Sequence, residues 1–320
     1  MERIRRISRR LDHYQQRHPF LAFPLAVVKR YSEDSASNQV ALITYYGLLS
    51  LFPLMLATLT IIQRVFHANS SIKAHITALA FRYVPIIGNE LQHNLHTLRG
   101  HRLGVTIALL VALYGSLGVA NAIQNALNHL WSVERVDRSS FPHNLYRNFA
   151  IVFAGGGLML GISAMSNYLG HLDDLGLIAH GLVVLVTFAA YFLVFLMVFR
   201  LATSHVVATK NFILSAAFAA LGWQVLQVVG GYLIVHELHK LSSFYGTFAI
   251  FIGLLFWIAI QAQVTLLAVE IDVVRTRQLW PRTFLTAKLT EKDEDVYRSY
   301  VKRERRQHYE NISVSYPDKD

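Results

Sequence analysis

The chain has 320 residues, 53% hydrophobic and 16% charged, and a mean hydropathy of +0.36, which is too apolar for a soluble domain, where roughly 25% of residues are charged. The absence of cysteine excludes disulfides, thiol nucleophiles and Cys-ligated zinc or iron–sulfur clusters. The formal net charge of +10 gathers toward the two ends, an arrangement that sets membrane topology and attracts anionic lipid rather than nucleic acid.

The first 38 residues read as a basic, interfacial segment. Arg3, Arg5, Arg6, Arg9 and Arg10 precede no apolar core of signal-peptide length, so the first long apolar stretch is expected to be retained as a signal anchor. Pro19-Phe20-Leu21-Ala22-Phe23-Pro24, leading through Val27, Val28 and Tyr31, reads as a short element lying on the membrane.

Residues 39–277 then read as one transmembrane domain. Six apolar stretches are long enough to cross a bilayer: Val40 to Ile62, Leu103 to Asn121, Phe149 to Leu169, Leu177 to Leu201, Phe212 to Val235 and Phe244 to Val269. Lipid cannot satisfy backbone N–H and C=O groups, so such stretches must be helical, and the expected fold is an all-α polytopic bundle with short interfacial helices. An even number of crossings puts both termini on one side. Lys and Arg number eight before Val40 and eleven from Glu270 onward, which makes that side the cytoplasm; the first external loop, with five, is the one dissenting segment.

Within the spans, small and polar residues carry the information. Pro53 should kink the first helix. Gly157 with Gly161 in the third span forms a GxxxG pair, and Gly230-Gly231 offers the same close approach in the fifth. Tyr45, Tyr46 and Ser50, then Gln224 and Gln227, then Gln261 and Thr265 are the candidates for a polar cavity, because a polar side chain in lipid seeks the bundle interior; their alternative use is interhelical hydrogen bonding. In the outer loop, Glu90, His93 and His96 share a helical face, but no fourth ligand accompanies them and no metal is expected. Asn121, Asn125 and Asn128 make a polar stripe on a helix leaving the second span, with Ala122, Leu127 and Leu130 against the bundle. Glu270 and Asp272 close the last span beside Arg275 and Arg277, where interfacial ion pairs are expected. Residues 278–320 read as a charged cytoplasmic tail; from Thr283 onward, with charges of both signs, it is a solvated helix or a disordered segment.

The segment Ala41-Leu42-Ile43-Thr44-Tyr45-Tyr46-Gly47-Leu48-Leu49-Ser50-Leu51-Phe52-Pro53-Leu54 resembles the opening signature of the YihY/virulence factor BrkB family. Ala126 to Glu134, and then Tyr245-Gly246-Thr247, Trp257 and Glu270, are similar to later family segments in the same order. Val269 stands where the family usually has Gly. The resemblance implies a six-helix inner-membrane protein with cytoplasmic termini, and a role in the cell envelope. It supports a transporter or flippase-like protein for a lipid or amphipathic envelope component, with a non-transporting scaffold for envelope assembly as the alternative. Expected partners are membrane lipids, with anionic lipid at the N-terminal arginines, and a second copy or envelope-assembly proteins; no nucleic acid and no cofactor is expected. Some relatives carry a ribonuclease label, but no cluster of His and carboxylate ligands supports RNA hydrolysis here, and no catalytic residue is assigned. GxxxxGK[ST] and GxSxG are also absent.

Overall fold

The computed structural model describes residues 12, 14–65, 102–140, 142–156, 176–233, 247–283 and 289–316. Arg3 to Arg10, the outer loop with Glu90, His93 and His96, and the Gly157–Gly161 pair lie outside the described residues. What is described is all-α. The helices are α1 (Pro19–Glu33), α2 (Ala36–Val65), α3 (Arg102–Leu130), α4 (His143–Ala150), α5 (Gly176–Ala202), α6 (Ile213–Leu233), α7 (Thr247–Thr276) and α8 (Glu291–Arg303). A π-helical turn, Ile151–Gly156, continues α4, and single 3-10 turns precede α4 and α6.

Four stretches among the described residues are long and apolar enough to cross a membrane: Leu110–Leu130, Gly181–Ala202, Thr209–Gly230 and Phe251–Thr276. They fall on the second, fourth, fifth and sixth expected spans. The first expected span lies inside α2, whose 30 residues reach about 45 Å at 1.5 Å per residue and include Pro53. Gly231 lies inside α6.

The chain forms two compact units. Unit 1 comprises Met1–Val40, Ala120–Leu226 and Gln261–Asp320; unit 2 comprises Ala41–Val119 and Gln227–Ile260. The core of unit 1 is aromatic and aliphatic. Trp131 packs edge-on to Phe212 at 5.4 Å, Phe195 meets Trp223 at 5.4 Å, and Leu127, Leu130, Leu266, Val269 and Val273 are buried around them. In unit 2, missing side chains let helices approach. A Cβ on Gly115 would lie 2.8 Å from Ser50 Cβ, one on Gly118 would overlap the Tyr46 ring, and one on Gly230 would overlap the Trp257 indole.

Three helices end with a non-glycine residue in the left-handed region: Ser35 (φ 50°) after α1, Ser132 (φ 48°) after α3 and Gln278 (φ 52°) after α7. At the last two the amides fold back on the final turn, with Val133 N donating to Asn128 O at 2.8 Å and Leu279 N donating to Val274 O at 3.0 Å. These are Schellman ends, which satisfy carbonyls that a helix terminus leaves open.

The polar stripe on α3 divides. Asn121 and Asn125 are exposed, but Asn128 is buried, its amide donating to Gln124 O at 2.8 Å and its Oδ1 accepting from Ser204 N at 2.9 Å. A polar residue facing the bundle serves there as a fastener for the α5–α6 loop. The tail is solvated only in part: residues 304–316 are mostly exposed, but Asp293 and Val296 on α8 are fully buried. Its start is fixed by a capping box, Thr290 Oγ1 accepting from Asp293 N at 3.2 Å while Thr290 N donates to the Asp293 carboxylate at 3.0 Å.

Candidate functional site

The polar candidates divide between the units. In unit 1, Gln224 donates to Val184 O at 3.0 Å, and Thr265 Oγ1 donates to Gln261 O at 2.7 Å while accepting from Trp223 Nε1 at 3.0 Å. These are bonds that fasten helix to helix or back-bond within one. In unit 2, Ser50 Oγ donates to Gly47 O at 3.0 Å, Tyr46 packs edge-on to Tyr45, and Tyr45 and Gln227 are exposed.

The buried charge lies elsewhere in unit 1. Arg30 on α1, Asp34 at its end and Glu270 on α7 are sealed from solvent. Glu270 pairs with Arg30, not with the neighbouring Arg275 and Arg277 that its position in sequence suggested: Arg30 Nε is 3.0 Å from Glu270 Oε2 and 3.3 Å from Asp34 Oδ2. The expected pairing does form between Asp272 and the 60% exposed Arg275, Nη1 to Oδ1 at 3.9 Å. Arg277 instead donates to Trp131 O, and burial together with the charge of Arg30 pushes its guanidinium down to about 10. Asp272 closes the start of α6 from a distance, accepting from Ser215 N at 2.9 Å, where open amides and the helix dipole favour a carboxylate.

One guanidinium is thus shared by two carboxylates. Its Nη2 is held by Leu130 O at 2.8 Å and Ser132 Oγ at 3.3 Å, contacts that the turn at the end of α3 provides. Arg303 on α8 relieves Asp34, with Nη1 at 2.8 Å from Oδ1, and the Tyr300 ring lies against Arg30 and Arg303 at 5.8 and 5.1 Å. Burial and then the charge of Asp34 raise the Tyr300 phenol above its usual range. Glu270 has no such second donor: neither of its oxygens, nor Arg30 Nε or Nη1, makes a well-aimed hydrogen bond among the described residues. Desolvated charge with open hydrogen-bond capacity is expensive to keep.

A second charged cluster, also on α1 and α8, is far better supplied: its carboxylates are all hydrogen-bonded, and Arg282 Nη1 is left open among the described residues. Six donor atoms surround the Asp293 carboxylate: Lys29 Nζ and Arg282 Nε at Oδ1, and the amides and hydroxyls of Thr283 and Thr290 at Oδ2. Burial alone would raise Asp293, but the donors, Lys29 and Thr283 foremost, outweigh it and hold the carboxyl well below the usual range. Arg282 also reaches Glu33 at 2.6 Å, and Glu33 accepts from Tyr297 at 3.2 Å.

Sequence reasoning singled out Glu270 but missed Arg30, Asp34 and Arg303. The usable signal was the four-residue spacing of Arg30 and Asp34 on the helix before the first span, together with an acid at the end of the last.

The family described as Virulence factor BrkB matches residues 27–288, a stretch that contains Arg30, Asp34 and Glu270 and stops short of α8. A UPF0761 membrane protein of Psychrobacter sp. (strain PRwf-1) is 24% identical over 294 residues, covering 87% of this chain and 53% of its own length. UPF0761 membrane proteins of Alkalilimnicola ehrlichii and Ralstonia nicotianae are 25% and 27% identical, covering 78% and 76% of this chain and 57% and 56% of their own lengths. The chain therefore spans little more than half the length of these curated relatives. No solved structure matches.

Proposed function

The chain belongs to the virulence factor BrkB family, and we propose that it is a transporter or flippase-like protein for a lipid or amphipathic component of the cell envelope, resident in the plasma membrane with both termini cytoplasmic. The observation that carries this reading is the sealed Arg30–Glu270 pair at the end of the last span. Charges sealed from water are costly, and one left short of donors is poorly suited to holding a fold; such residues mark a pathway or a moving part. Replacing or protonating Glu270 would release α7 from Arg30 while Asp34 keeps Arg30 in place, so the pair can open without exposing a bare guanidinium.

The test is translocation of fluorescently labelled phosphatidylglycerol in proteoliposomes. Wild-type protein should move the label faster than protein-free vesicles, and Glu270→Gln should slow it at least tenfold without loss of folded protein. Wild-type movement no faster than empty vesicles, or full activity in Glu270→Gln, would overturn the reading. The scaffold alternative has to be tested by point substitution, because removing Thr283 to Asp320 would also strip Asp293, Tyr300 and Arg303 from their clusters. Tyr309, 88% exposed, is a suitable position: Tyr309→Ala should leave translocation unchanged.

A further inference from the structure

We propose that Arg147 and Arg200, where α4 and α5 end, form a binding site for the phosphate of an anionic membrane lipid.

Arg147 is fixed at the end of α5. Its Nε donates to Leu201 O at 2.7 Å, its Nη2 donates to Leu201 O and Thr203 O, and its Nη1 donates to Ser139 Oγ. A cation in this place satisfies carbonyls that the helix terminus leaves open. Among the described residues Arg200, one residue before Leu201, has a single long contact, Nη1 to Val207 O at 3.5 Å, which leaves most of its donors open there. Among the described residues neither arginine pairs with a carboxylate, in contrast to Arg30, Arg282 and Arg303. Arg147 binds the carbonyl of the residue next to Arg200, which brings two like charges to the same end of α5; burial and then the charge of Arg200 push the Arg147 guanidinium below its ordinary value.

The lipid surface leads to this pair. Leu182, Val186, Ala189, Leu193, Met197 and Arg200 follow one another on α5 at spacings of three and four, so they lie on one face. The apolar members are exposed, Leu182 and Leu193 at 61% each. The apolar stretch ends at Ala202, so the stripe changes from hydrocarbon to guanidinium at the depth of the headgroups. Tyr146 beside Arg147 is 72% exposed, as suits an aromatic ring at that level. An acyl chain laid along the stripe brings its phosphate to Arg200, whose planar fork matches phosphate oxygens in pairs. The site does not depend on transport.

The experiment is native mass spectrometry of the full chain in neutral detergent, incubated with phosphatidylglycerol, phosphatidylcholine or inorganic phosphate. The site predicts retention of phosphatidylglycerol over phosphatidylcholine, undiminished by inorganic phosphate. Arg200→Gln should lower that retention about fivefold with the melting temperature unchanged, whereas Lys302→Gln, an exposed basic position on α8, should not. Equal retention of the two lipids, full retention by Arg200→Gln or an equal loss in Lys302→Gln would overturn the proposal. Displacement of the lipid by inorganic phosphate would assign the site to the free anion and overturn it as a lipid site.

Discussion

Asp293 and Glu270 are both fully buried carboxylates facing arginines, yet they are provisioned in opposite ways. Asp293 draws on two cations, two amides and two hydroxyls. Among the described residues Glu270 has one guanidinium at 3.0 Å, shared with Asp34, and no well-aimed hydrogen bond. A carboxylate so fully supplied binds its cluster together, because a neutral replacement takes the acceptor from six donors at once and leaves Lys29 and Arg282 with Glu33 as their one carboxylate among the described residues. A carboxylate so poorly supplied gains little from ionic contact and is free to exchange its state. The first arrangement suits stability and the second suits function.

The largest effect should come from the well-supplied site. Asp293→Ala leaves the buried Arg282 without its inner partner and should cost about 3–5 kcal/mol, read as a lower melting temperature and protease cleavage before α8. A loss under about 1 kcal/mol would mean that the cluster is not what docks α8.

Acidity separates the two regions next. Asp293 is held well below the ordinary carboxylate range in the folded chain, while an unfolded Asp titrates near ~3.9. Its contribution is therefore fully present above about pH 4 and is lost as the pH falls from there toward the folded value. Protease protection of α8 should stay constant from pH 7 to pH 5 and decline only in stronger acid. A decline already at pH 6 would show that some other group holds the helix.

The smallest effect lies at the end of the helix that carries Glu270. Gln278 occupies a left-handed position that glycine adopts freely, so Gln278→Gly should stabilise by about 0.5–1 kcal/mol, visible as a small rise in melting temperature. A fall would mean that the Gln278 side chain supports the turn.

The helical class and most of the spans were legible in the sequence because a bilayer imposes one rule on every residue it surrounds: twenty apolar positions in a row must be helical. Ala122, Leu127 and Leu130 lie buried as their spacing on α3 implied. The charged clusters were not legible, since Arg30 meets Glu270, and Asp34 meets Arg303, across nearly the whole chain. Local pattern reports which face of a helix is apolar and says nothing of which distant helix supplies a counter-ion. The tail shows the same limit. Its alternating charges read as solvated, yet Thr290, three residues before Asp293, was a capping-box signal already present in the sequence.

The most direct measurement is the melting temperature of Glu270→Gln beside that of Asp293→Asn. Gln keeps the shape, and Arg30 retains Asp34 at 3.3 Å, so Glu270→Gln should remain within about 1 kcal/mol of wild type while Asp293→Asn falls well below it. A loss in Glu270→Gln as large as that in Asp293→Asn would make the pair a structural clamp and contradict the account.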